Sequence, residues 1–503
     1  MKKHIRKIVF LASFSIQLLE ANNITSHTFF TVRPQWQSDM PEKISFFHNN
    51  LFNDYGSAFE IAVFGGRSTN SKDLAKYYLP FNSCSLQVAE AKFNKDNNIY
   101  QVDPEAKHEN VIAQNINIAT KNKNFLSVVT LSPHQTVYGI GLDYKQRLGS
   151  KWWLEISAPI ERVHNTLDFK ETIINDGGGV KLIDGTDTPQ IGLDNSPVVA
   201  NASQAFTQPN WNYGRMCNQQ ARWGLADIEL KLGLISCTCD SMRASSYAGV
   251  LFPTGNKPKA HVVFEQIVGN NRHFGFMFGQ NIGIDFGCRA GFDFSVEVDL
   301  NSTYLFSNTQ TRSIDPFDKS FGRYLATYSS SEQAAAAEAD QNSYTGTSGV
   351  NVFTKRVTVS PRGLIDINSA FVFKRSKFAA ELGFNIYARQ SEKICLKDCL
   401  MDGIAIKDIA GVGATNPTRG INTLISNAQE PYSADAYTTN EIHSRGLNLE
   451  SASHPATIAN ILYASLGYKG DHSFLNFGGS YEHGHVNTTL KRWLGWGKIG
   501  LTF

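Results

Sequence analysis

Beyond its first twenty residues, the 503-residue chain lacks any run approaching the roughly 20 apolar residues that a membrane-spanning helix needs. Spanning helices are thereby excluded. Charge of one sign is also missing: 47 Lys plus Arg stand against 45 Asp plus Glu, without the basic excess or stripe of a nucleic-acid binder. The seven cysteines contain no CxxC pair and no His spacing that suits zinc. GxSxG, HExxH and GxxxxGK followed by Ser or Thr do not occur, so neither the Gly177-Gly178-Gly179 run nor the Pro253–Asn256 turn reads as a phosphate loop. No cofactor or metal is expected, and no Pro-rich or Ser-rich linker divides the chain.

What is present begins with a basic start (Lys2, Lys3, Arg6, Lys7), an apolar run from Ile8 to Leu19, and the small residue Ala21. This is the layout of a secretory signal peptide over residues 1–21, too short for an anchor. With 40 Gly, 18 Tyr and 33 Phe, the chain is rich in aromatics for a mean hydropathy of −0.26. Alternating strands reconcile the two, because every second side chain points into water. In an exported protein disulfides are permitted; Cys395 with Cys399 is the candidate pair for closing a loop, unpaired thiols being the alternative, and the odd count leaves at least one thiol over.

Period-two alternation runs through the chain. In the last stretch Trp493, Ile499, Leu501 and Phe503 lie on one face and Trp496, Lys498, Gly500 and Thr502 on the other. Similar runs begin at Phe59, Thr136, Trp152, Ala226, Phe292, Ile365, Phe378 and Leu462. These strands exceed the usual five or six residues of globular sheets. Short turns near residues 149, 287, 375 and 470 alternate with long connections over 307–361 and 391–455. The expected fold is all-β: a closed antiparallel transmembrane barrel over residues 58–503, with 12 to 16 strands and 14 as the central figure.

Residues 22–57 precede the barrel. Asp39, Pro41 and Glu42 suggest a helix start with Asp as cap, placing Ile44, Phe47 and Leu51 on one side of a short helix that plugs the pore or caps it from the periplasm. A second helix is suggested by Ser329 and Glu332 before an alanine-rich run. Placing the terminal Phe503 at the periplasmic end puts the turns at Gly470-Asp471, Arg375-Ser376, Gly287-Cys288 and Pro253-Thr254-Gly255 there too. The span Thr166 to Arg222 then needs one extra crossing, either a strand around Trp211 to Gln220 or a segment threaded through the lumen.

The terminal strand ending in Phe503 resembles that of bacterial outer-membrane β-barrel proteins, which the barrel-assembly machinery reads; Trp493, Ile499, Leu501 and Phe503 would carry this signal. Trp223-Gly224-Leu225-Ala226-Asp227, with Ala226 where Gly is usual, and Pro253-Thr254-Gly255 resemble motifs of the outer-membrane channels for long-chain fatty acids and aromatic hydrocarbons. The resemblance implies a barrel of about 14 strands in outer-membrane lipid, passing small or hydrophobic solutes by diffusion. If the alternation holds, Asp143, Lys145, Arg147, Glu155, Asp227, Glu229, Lys231, Asp293, Glu297, Asp299, Asp366, Glu381, Arg389 and Lys498 face the lumen. Acids outnumber bases there, which favours cations in an open pore; paired charges sealing the interior are the alternative. A rim hydrolase using His472, His483, His485 and Glu482, and a surface adhesin displaying its loops, are the competing readings.

Overall fold

The computed structural model describes residues 26–46 and 56–503, apart from 91, 95–98, 102–109, 123, 240, 290, 317–319, 331–332, 334–345, 399–403, 407–440, 443–445 and 485–486. The expected signal peptide, the 330s helix, Phe47, Leu51 and Cys399 thus fall wholly or largely outside the described residues, while Cys395 is a free thiol.

Twelve strands close one antiparallel barrel: β1 (Ser57–Ser68), β2 (His134–Leu148), β3 (Trp152–Thr166), β4 (Ile228–Cys239), β5 (Met242–Phe252), β6 (Gly275–Arg289), β7 (Phe292–Leu305), β8 (Arg362–Arg375), β9 (Phe378–Arg389), β10 (Thr457–Lys469), β11 (Ser473–Gly484) and β12 (Arg492–Thr502). Each pairs with its sequence neighbours, and β12 returns to β1 with Thr502 opposite Ala58 and Arg492 opposite Ser68. Closure leaves no edge strand in the wall. Twelve lies within the expected range and two below its central figure.

The parity problem resolves without a threaded crossing. Gln219–Leu225 pairs with β3 from Gln219↔Thr166 to Leu225↔Ile160, and β4 continues on the same strand from Glu229↔Ser157. Between Leu225 and Glu229 four steps answer three, so this is one long strand with a bulge at Ala226-Asp227. It descends to a turn at Ser241 that the sequence reading overlooked, and β5 climbs back. Pro253-Thr254-Gly255 therefore lies at the end of the long connections, not with the short turns. The Gly287-Cys288 step is likewise a register shift within β6, the turn following at Gly291.

Side-chain size is complementary across the wall. Inward rings lie on the glycine directly opposite: Phe64 on Gly139, Trp153 on Gly233, Tyr247 on Gly279, Tyr463 on Gly383, Trp496 on Gly478 and Phe474 on Gly500. A Cβ at Gly233 would sit 2.0 Å from the Trp153 ring. Such aromatic–glycine pairs pin strand register. The opposite face carries exposed Leu462, Leu466, Phe477, Trp493, Ile499 and Leu501 around the barrel, an apolar belt suited to lipid. Among the described residues no helix is long and apolar enough to cross a membrane.

The long connections fold together over one mouth, hereafter the loop end. Helix α2 (Ser71–Tyr78) follows β1 there and buries Leu74, Tyr77 and Tyr78 in one cluster with Phe206, Trp211, Phe321 and Tyr324 from two other connections. Trp211 stacks on Tyr324 at 5.2 Å, and its Nε1 donates to Ser348 Oγ at 2.9 Å. A second apolar cluster joins Ile314, Phe353 and Val357 to Ile394 and Leu447. The loops form a folded cap.

Candidate functional site

Residues 26–46 run down the inside of the barrel from the cap to the turn end. Near the top, Ser26 Oγ donates to Asp315 Oδ2 at 2.8 Å, His27 stacks on Tyr77 at 4.5 Å, and Phe29 lies under the Arg312 guanidinium. Arg33 then pairs with Asp366 on β8 and donates to Asn385 Oδ1 on β9 at 3.0 Å. One turn of helix, α1 (Pro41–Ile44), follows. Its cap is Met40 with no side-chain bond, whereas Asp39 was expected; Glu42 instead accepts from the Trp36 N–H at 3.2 Å. A single turn cannot stabilise itself. The surrounding wall holds it.

Two features show how closely wall and segment fit. Gly141 and Gly467 face inward but have no aromatic opposite: their cross-strand partners are Ala62 and Pro159, and Ala379 and Asn476. The internal segment supplies the rings. Trp36 lies on Gly141, where a Cβ would come within 2.1 Å, and Phe46 lies on Gly467 at 2.5 Å. Electrostatically, Lys43 Nζ sits 2.7 Å from Glu229, 3.0 Å from Glu155 and 3.7 Å from Asp143, all fully buried. Lys231 shares Glu155 at 3.1 Å and Glu229 at 3.3 Å, and Lys145 lies 3.8 Å from Glu155. Three ammonium groups thus meet three carboxylates, one ammonium coming from the segment.

The remaining residues singled out from sequence occupy several environments. Glu381 accepts from the Phe46 N–H at 2.6 Å, and Lys498 Nζ donates to the Lys43 carbonyl at 2.8 Å. Glu297 pairs with Arg243 at 3.0 Å, and Asp299 accepts from Asn281 at 2.7 Å. Arg389 pairs with Glu392 at 2.8 Å beneath the cap. Asp227 is buried at the bulge, accepting from Gly255 N and Asn270 N, while Thr254 Oγ1 donates to the Ala226 carbonyl. The two motifs behind the family resemblance are therefore in contact. Two residues depart from the lumen: Arg147 folds onto the Gly149 and Ser150 carbonyls at the turn end, and Asp293 is exposed there because β7 begins below the wall's packed interior. Trp493, Ile499, Leu501 and Phe503 all face outward. Arg33, Trp36 and Phe46 were not picked out from sequence.

The hydrolase candidates are not assembled. His472 lies at the turn end, Glu482 is buried toward the loop end against Arg492 at 2.6 Å, His483 is exposed, and His485 is outside the described residues. Among the described residues no group of three or more His, Cys, Asp or Glu is placed to hold a metal.

Outside the spanning strands, burial pushes His27 and His273 down to about 4 and His454 to about 3. Burial works against the Glu392 carboxylate, but Arg312 and Arg389 overcome it and hold this group at about 2. The ionised Glu392 thus lies beside His273 and His454, which burial keeps neutral, while His27 faces Asp315.

Fold, lipid-facing belt and filled interior define a membrane-spanning β-barrel with a segment of its own chain in the lumen. No protein-family model matches the sequence, and no curated protein matches it. Solved structures similar to it include an outer membrane channel from Pseudomonas putida F1, at 6% identity over 89% of this chain and 96% of that one, TM-score 0.37. The TodX monoaromatic hydrocarbon channel deltaS2 mutant matches at 7% over 95% and 94%, TM-score 0.31, and the transport unit of the autotransporter AIDA-I from Escherichia coli at 8% over 91% and 94%, TM-score 0.30. These values are too low to carry a function from any of them to this chain.

Proposed function

We propose that the protein is a bacterial outer-membrane channel for passive diffusion of small or hydrophobic solutes, exported by its signal peptide, assembled through its terminal strand, and closed at rest by residues 26–46 acting as a plug. The observation that carries this reading is the seating of Trp36 and Phe46 on Gly141 and Gly467, with Lys43 among wall carboxylates. The wall fits a removable part. A sealed scaffold would be expected to fill those positions from its own strands, as it does elsewhere.

With the plug withdrawn, the lumen is acidic. Among the described residues, the barrel strands and bulge bury eleven carboxylates (residues 60, 143, 155, 161, 227, 229, 297, 299, 366, 381 and 482) against five cations (145, 231, 389, 492 and 498), which favours cation passage. The test is planar-bilayer conductance of the full chain and of a variant lacking residues 26–46. The full chain should be mostly silent and the deletion variant should conduct steadily with cation preference. A folded, inserted deletion variant that remains silent would overturn the channel reading. The packed core of the cap favours a second reading, surface display through the loops; cap binding to a surface ligand, unaffected by plug deletion, would support it.

A further inference from the structure

Directly under the cap, where the internal segment meets the barrel rim, lies a cavity of about 10 Å³, room for about one water-sized species. Three guanidiniums line it, Arg33 from the segment, Arg389 from β9 and Arg492 from β12, against one carboxylate, Glu482. Each arginine is anchored from behind. Arg33 Nη2 pairs with Asp366, Arg389 Nη2 with Glu392 at 2.8 Å, and Arg492 Nε with Glu482 at 2.6 Å. Asp366 and Glu392 do not line the cavity themselves.

Five lining residues carry a buried polar atom with no hydrogen-bond partner: Arg33 Nη1, Arg389 Nε, Thr488 Oγ1, Thr489 Oγ1 and His454 Nε2. Unsatisfied buried polar groups are rare and costly. Five around one small space are not a packing accident. The two arginine atoms are obligatory donors and the two hydroxyls can donate. His454 Nδ1 lies 3.0 Å from the Pro455 carbonyl and donates to it, leaving Nε2 as the one member of the set that cannot donate.

We propose that this cavity binds one compact monoanion of halide size, held by Arg33 Nη1, Arg389 Nε and the threonine hydroxyls. The donor-rich lining and the volume together select it: a cation would face three guanidiniums, and a larger oxyanion would have to push the walls apart. The site joins four parts of the molecule: the internal segment through Arg33, the wall through Arg389 and Arg492, the β11–β12 connection through Thr488 and Thr489, and the cap through His454. It rests on the reading of residues 26–46 as a plug, and it adds an anion that latches that plug closed.

The probe is bromide. Crystals of the full chain soaked in bromide should show an anomalous peak between Arg33 and Arg389, absent from crystals kept in gluconate. In detergent solution, bromide should slow proteolysis of residues 26–46 at least tenfold relative to gluconate at equal ionic strength. Thr488→Val with Thr489→Val leaves every arginine pair intact and should weaken that protection at least tenfold, with thermal unfolding in gluconate verifying that the variant folds. An ordered water in place of bromide, an adventitious ion only at other positions, or protection identical in bromide and gluconate would overturn the proposal. A bromide peak in a protein that never conducts would retain the anion site and refute the channel instead.

Discussion

Replacing Lys43 by Met removes one ammonium from a buried set of three, leaving Asp143, Glu155 and Glu229 to share Lys145 and Lys231. Breaking a buried pair by deleting one partner costs about 3–5 kcal/mol, since the surviving charge stays desolvated. The lost contacts run between segment and wall, so the cost falls on the seated state. Taking about 3 kcal/mol, the ratio of closed to open forms should fall on the order of a hundredfold. Bilayer recordings should show a matching rise in open probability, and residues 26–46 should be cleaved faster by added protease. Adding Glu229→Gln restores balance, two ammoniums to two carboxylates, and should recover much of the loss; a double-mutant cycle measures that coupling. Lys43→Met as tightly closed as the parent, or a double variant no better than the single one, would refute the electrostatic account of plug seating.

Gly141→Val should unseat the Trp36 ring, its Cβ falling 2.1 Å away, and raise channel opening, whereas Gly479→Ala, with nothing nearer than 3.5 Å, should behave as the parent. Acid should loosen the top of the plug. His27, His273 and His454 are held at about 4, 4 and 3, below the ordinary 6.5, so the opened state binds more protons and closure weakens as pH falls from about 6.5 toward 4. Above 6.5 this contribution is flat, and Glu392, held at about 2, stays ionised through the window. Hydrogen exchange of residues 26–31 and 449–456, corrected for intrinsic rates, should be faster at pH 5 than at pH 7.5. Leu462→Arg, on the exposed face at mid-β10, should destabilise the barrel by about 2–4 kcal/mol in lipid refolding, against near zero if that face is not in the membrane.

Much of the wall was legible because a strand's side chains alternate strictly, so Leu462, Trp493 and Leu501 could be told from Lys498 and Glu229 by position alone. Three kinds of feature were not. The Ala226-Asp227 bulge adds one residue to a strand, and a single extra residue shifts every downstream parity. The hairpin turn at Ser241 is a separate omission: missing that one reversal put the Pro253-Thr254-Gly255 turn at the wrong end and made an extra crossing seem necessary over Thr166–Arg222. Arg147 and Asp293 kept inward parity on paper but lie below the level where the wall closes on its contents, and parity carries no information about depth.

The internal segment marks the boundary between what sequence and tertiary structure decide. Its residues have no period: Arg33, Trp36, Lys43 and Phe46 are spaced by the depth of the sites they fill, not by a helix or strand repeat. By itself, sequence determined that the chain forms long amphipathic strands, because alternation is a local property of neighbouring residues. Only the closed barrel decided which glycines were left without a cross-strand ring and where wall carboxylates outnumber wall cations, because those sites exist only once register has brought distant strands together. The segment is defined by fitting them.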